Sequence, residues 1–243
     1  MIEFEHTEVV GWEAAIRGMR NPMNSWERSD SQLCKSMDGF EDCRAGVHGG
    51  CPRRDEDYFK EDIFCIGKND FELMQRLARA GTDHRKFMRM IVVYADVTAP
   101  RSFWSEMDTY KVGTVSNSCS TMHKLHSRDL TLDDFSHENL MRGDEFDGTC
   151  KSSMLALIDT IETINYCRKE FLQTGDKRWW RQMINLLPQS YNQRRTLMLN
   201  YEVLANIYHA RKNHKLAEWR EFCRWIESLP YSELITGKEK LND

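Results

Sequence analysis

The segment from Thr109 to Thr121 (TYKVGTVSNSCST) carries the densest run of groups able to do chemistry. Hydroxyls, the amides of Asn117 and the backbone, one lysine and one glycine let such a stretch surround a phosphate, with Lys111 supplying charge. Lys111, Asn117 and Ser118 are its candidate substrate-binding residues, and Cys119 is its candidate nucleophile. The same residue types also make an ordinary polar loop whose side chains bond their own backbone. Both readings stay open on this segment alone.

Three other places have suggestive chemistry. Leu204, Ile207, Tyr208 and Arg211 fall at i, i+3, i+4 and i+7, so a guanidinium lies in line with an apolar stripe. A charge there needs a phosphate, a carbonyl-rich ring or a carboxylate as partner, unless it reaches back to water. Asp83-His84-Arg85-Lys86 places an imidazole before the expected strand Phe87 to Val97, in a turn at its mouth. Cys34, Cys43, His48, Cys51 and Cys65 are zinc-type ligands, but the gaps are irregular and no C-x-x-C pair occurs. A zinc-stabilised interaction or nucleic-acid-binding protein and free thiols in a surface insertion are the two readings of that set.

These residues need elements to hold them. Val9 to Met19 reads as an amphipathic helix ended by Asn21-Pro22. Ser25 to Lys68 is polar and Cys-rich, an irregular insertion (25–68). Asn69, with Glu72 three residues on, predicts an N-cap for a helix that Gly81 stops. The run Phe87 to Val97 has a strand's length and composition. A short helix over Arg101 to Asp108 and another over Thr131 to Met141 follow. Ser152 to Leu172 predicts a long helix with Leu155, Ile158, Ile161, Thr163 and Tyr166 towards its inner side and Gly175 at its end. Further helices run from Lys177 to the Leu187-Pro188 step, from Tyr201 to Asn213 and from Leu216 to Leu229. The expectation is a single α+β domain over 1–243, with a small antiparallel sheet and a helix-rich C-terminal half.

The chain of 243 residues is 40% hydrophobic, enough for a sizeable core. Its formal net charge of −4, with both signs mixed, argues against a dedicated nucleic-acid binder. No apolar run approaches a bilayer span and no export signal precedes the eight cysteines, so a cytoplasmic protein with reduced thiols is expected.

With these residues in view, the chain resembles the flavin-dependent thymidylate synthases. Asp96-Val97-Thr98-Ala99-Pro100 starts a run like the one leading into that family's signature, and Lys124-Leu125 closes it without a gap. Leu187-Pro188, then Asn200, Asn206 and Arg211, keep the spacing of its C-terminal helix. Ala217-Glu218-Trp219 resembles its Ala-Gln-Trp, and Ala15-Ile16-Arg17 its Ala-Ala-Arg. The likeness covers roughly the first 24 residues, 69–125 and 182–230. It implies a homotetramer that binds FAD, takes hydride from NADPH and uses methylenetetrahydrofolate to methylate a pyrimidine deoxynucleotide such as dUMP. It implies that His84, Asn200 and Asn206 face FAD and that Arg211 contacts the nucleotide. The signature itself departs: Thr109-Tyr110-Lys111 replaces Arg-His-Arg, Glu106 replaces Gln, Cys119 replaces the active-site Ser, and Thr121 and Ile184 replace phosphate-binding arginines. A non-catalytic homologue that binds nucleotide or flavin is therefore the alternative reading.

Overall fold

The computed structural model describes residues 1–34, 63–143, 148 and 151–238. In chain order the elements are β1 (Glu3–Val10), α1 (Trp12–Arg20), β2 (Gln32–Cys34), β3 (Ile63–Cys65), α2 (Lys68–Arg79), β4 (Val92–Pro100), α3 (Arg101–Met107), β5 (Val115–Ser118) and α4 (Thr121–Lys124). Then come α5 (Ser153–Thr174), α6 (Lys177–Leu186), β6 (Asn192–Asn200), α7 (Tyr201–Arg211), α8 (Ala217–Ser228) and α9 (Glu233–Thr236). The architecture is α+β with a small antiparallel sheet. Among the described residues no helix is long and apolar enough to cross a membrane.

The four-stranded sheet has the order β1-β4-β6-β5. Its antiparallel sense shows in the pairings: Ile91 lies by Tyr201 while Asp96 lies by Thr196, and Gly113 lies by Asn200 while Cys119 lies by Arg194. One face is apolar, because Val93, Ala95, Val97 and Ala99 of β4 and Leu197 and Leu199 of β6 alternate inward and are buried. A second antiparallel pair joins β2 to β3, with Leu33 opposite Phe64.

The chain forms two compact units: Met1–His6 with Ala95–Lys111 and Ser116–Leu197, and Thr7–Tyr94 with Val112–Val115 and Met198–Asp243. In the first unit, α5 packs on α6 through Leu157, Ile161, Ile164, Cys167 and Met183. Ser152 accepts the Leu155 N–H at its start, and Gly175, at φ 67°, stops it. In the second unit, α7 buries Tyr201, Leu204, Ile207 and Tyr208, α8 buries Trp219, Phe222 and Ile226, and Trp12 stands edge-on to Tyr201 and Tyr231.

Several expectations need correction. Residues 3–10 form a strand, so the first helix begins at Trp12 rather than Val9. The strand expected at Phe87 starts at Val92, and Lys86–Arg89 form a 3-10 turn with Phe87 and Met88 buried. The helix expected over Thr131 to Met141 reduces to a turn at Leu132–Asp134, because Phe135 bridges to Tyr191 and the Ser136 N–H is taken by the Ser190 carbonyl. The inner side of α5 is Leu157, Ile161 and Ile164; Leu155 and Tyr166 are exposed.

Asn69 does not cap α2 either. The helix starts at Lys68, and the Asp30 carboxylate, brought from a distant turn, accepts the N–H groups of Asn69 and Asp70. Within the supposed insertion, 25–34 and 63–68 therefore hold a capping turn and two paired strands; 35–62, with Cys43, His48 and Cys51, lie outside the described residues.

Candidate functional site

The candidates fall into two sets, one in each unit. In the first unit, α3 ends at Met107 and the chain turns tightly: the Thr109 Oγ1 donates to the Glu106 carbonyl, and the Lys111 N–H to that of Thr109. Lys111 is exposed on this turn. β5 then follows with Ser116, Asn117, Ser118 and Cys119 all exposed. The segment is not wholly a loop: Val115–Ser118 form an edge strand beside β6, and just beyond it the Cys119 N–H donates to the Arg194 carbonyl.

β6 brings a residue that sequence reading missed. Arg195 lies with its guanidinium 4.4 Å over the Trp104 ring. Its Nε donates to Gln193 Oε1 at 3.1 Å and its Nη1 to Asp108 at 2.7 Å, with Ser116 Oγ 3.5 Å away. Gln193, itself buried, donates its Nε2 to the Cys119 carbonyl at 3.0 Å. Tyr191 belongs to the same surroundings: burial, then the neighbouring Cys119, pushes its phenol above the usual range. The only hint in the sequence was an Arg-Arg pair at the end of a polar run that turns apolar at Leu197.

On the polar side of β6, Arg194 and Thr196 both bind Asp96, at 2.8 and 2.6 Å. Arg194 and Thr196 hold the Asp96 carboxyl down at about 2, with His6 adding a third bond. Ile184, where the resemblance expects a phosphate-binding arginine, packs against the α5–α6 core.

In the second unit, the N-terminal turn of α7 and the segment before β4 meet. Arg85 Nε stands 2.9 Å from the buried Glu202 carboxylate, and its Nη2 donates to Asn206 Oδ1 at 3.1 Å. With Oδ1 so engaged, Asn206, which is exposed, has its amide N–H groups left as donors. Burial, then Lys212 and Arg85, hold the His209 imidazole below its usual range. His84 is exposed in a turn several residues ahead of β4, not at the strand's mouth. Asn200 is committed to the fold: its Oδ1 caps α7 by accepting the Val203 N–H, and its Nδ2 faces Gly113, which at φ 74° leaves no room for a Cβ. Arg211 lies 4.6 Å over the Trp219 ring and 2.9 Å from His214 Nε2.

Cys119, Cys167 and Cys223 are free thiols, and among the described residues no group of three His, Cys, Asp or Glu side chains is placed to hold a metal ion.

The fold is one that solved structures share. The chain is similar to flavin-dependent thymidylate synthases in its fold. A crystal structure of thymidylate synthase X from Helicobacter pylori, with FAD and dUMP, matches with a TM-score of 0.62 at 16% identity, covering 98% of each chain. A second structure of the Helicobacter pylori enzyme, also complexed with FAD and dUMP, matches with a TM-score of 0.61 at 15% identity, covering 97% of this chain and 98% of that one. No protein-family model matches the sequence, and no curated protein does.

Proposed function

We propose that the protein is a cytoplasmic, homotetrameric flavin-dependent enzyme of the thymidylate synthase type, acting on a pyrimidine deoxynucleotide such as dUMP. NADPH and methylenetetrahydrofolate are its proposed co-substrates. The observation that carries this reading is the match in fold, across nearly the whole of both chains, to proteins crystallised with FAD and dUMP.

The residues of the second unit suit part of a flavin site. Asn206 offers N–H donors to a ring carbonyl, with its orientation set by Arg85 and Glu202. His84 is exposed and available. Asn200 fits less well, because its carbonyl oxygen already caps a helix. Bound FAD would supply the hydride chemistry; the chain's task is to orient the ring and keep water out. Lys111, Asn117, Ser118 and Arg211 are the proposed nucleotide contacts. Cys119 is the proposed nucleophile, and replacing it by Ser would lower turnover by orders of magnitude; unchanged turnover would remove it from the mechanism.

One observation favours a second reading, a homologue that binds nucleotide or flavin without catalysis. The turn Thr109–Lys111 carries a single cation, and Ile184, which has no charge to offer, packs against the α5–α6 core. The visible spectrum of the purified protein, with release and identification of any ligand, separates the two. A flavin band supports the enzyme; a colourless protein that binds dUMP supports the second reading; a colourless protein that binds neither FAD nor dUMP sinks both.

A further inference from the structure

The pairing of Arg195 with Asp108 has the form of an anion site held in a resting state. Three features of the guanidinium are fixed. Trp104 supports one face, Gln193 takes Nε, and Gln193 is itself held by the Cys119 carbonyl. The fork is therefore oriented before any ligand arrives, which removes much of the entropic cost of binding. Only Nη1 reaches Asp108, and among the described residues Nη2 has no partner. Asp108 is 54% exposed, whereas the arginine is 14% exposed. An exposed carboxylate gives up its partner at little cost.

We propose that Arg195 is the phosphate-binding residue of the β5 edge and that Asp108 is its exchangeable counter-ion. The phosphate of a nucleotide monophosphate displaces the Asp108 carboxylate, takes both Nη groups of the fork, and accepts further bonds from Ser116. A phosphate carries more charge and more acceptor oxygens than the carboxylate it replaces. This inference rests on the nucleotide reading above and gives it a specific residue.

A purely structural role makes the opposite forecast for one substitution. If the pair served to pin α3 to β6, removing either partner would loosen the site alike. If Asp108 competes with the ligand, removing it helps binding. The test is titration calorimetry on the full chain with dUMP and with deoxyuridine, which lacks the phosphate. Arg195→Ala is expected to weaken dUMP about tenfold or more and to leave deoxyuridine unchanged. Asp108→Asn is expected to tighten dUMP several-fold, with no gain for deoxyuridine. Arg195→Lys, which keeps the charge but not the fork, is expected to fall between wild type and Arg195→Ala, and it stands in if the alanine variant loses its circular dichroism. Wild-type affinity for dUMP in both the Arg195 and Asp108 variants, or weaker binding in Asp108→Asn, overturns the proposal while leaving nucleotide binding intact. Wild-type protein that binds neither dUMP nor deoxyuridine overturns the nucleotide reading and this proposal with it.

Discussion

Two arginine–aspartate pairs in this protein share their chemistry and little else. Arg20 and Asp70 are 4% and 0% exposed, 2.6 Å apart. Ser29, Ser31 and the backbone N–H groups of Asp30 and Ser31 fill the rest of the Asp70 carboxylate, and the carbonyls of Ser25 and Arg28 take the rest of the guanidinium. Burial pushes the Asp70 carboxyl upward, but the bonds from Ser31, Ser29 and Arg20 outweigh it, and the net direction is down. Arg195 and Asp108 instead leave one nitrogen unmatched and one carboxylate half in water. A saturated, buried pair has nothing left to offer a ligand and serves to hold the turn 25–31 against α2. An unsaturated pair at the surface is cheap to open, and that is what a binding site requires.

The contrast is easiest to break at the buried pair. Asp70→Ala strands the Arg20 charge and is expected to cost about 3–5 kcal/mol of stability, read by denaturant unfolding. A loss below about 1 kcal/mol would mean that the pair behaves like a surface one. Next in size is Gly113→Ala. The positive φ and the Asn200 Nδ2 only 2.8 Å from the added Cβ predict a loss of about 1–2 kcal/mol, with Gly113→Asn costing less. Asn200→Ala tests whether that residue is a cap: about 1 kcal/mol is expected from the helix start. Unchanged stability together with lost flavin binding would make it a ligand residue instead.

Asp108→Asn belongs to the exposed pair and is expected to shift stability by less than about 1 kcal/mol; a loss as large as that of Asp70→Ala would erase the distinction. The smallest effect concerns acid. Asp96 has its carboxyl lowered to about 2, so its ion pair is fully formed above the ordinary carboxylate range and is lost as pH falls from about 4 through about 2. Asp96→Asn should flatten the stability profile in that window alone, and an unchanged acid limb would show that Asp96 contributes no pH-dependent stability there.

Much of the helical framework was legible without coordinates. α3, α5, α6, α7 and α8 announce themselves by apolar periodicity and by local stops such as Gly175 and Pro230, because a helix makes its hydrogen bonds within one segment. The face of α5 was less legible, since Leu155 and Leu157 are equally apolar and only packing against Met183 selects between them. β1, β5 and β6 were not legible at all. Glu3–Val10 is almost wholly polar or exposed, β5 is exposed at every residue, and the first five residues of β6 are all polar. Strands like these exist because of a neighbour distant in the chain, and no local signal reports that neighbour.

The candidate site divides along the same line. The sequence by itself marked Lys111, Asn117, Ser118 and Cys119 as a cluster, because contiguous residue types are enough to recognise a polar loop. Arg211 stood out by its place in line with an apolar stripe, and Asn200 and Asn206 only through the resemblance to flavin-dependent thymidylate synthases. Only the tertiary structure turned Asn200 into a cap, set Asn206 beside Arg85, and brought Arg195 to Trp104 and Asp108. Glu202 and Arg195 read in the sequence as ordinary surface charges. What they do depends on how far each is buried and which groups it meets, and burial is a property of the packed chain rather than of the residue.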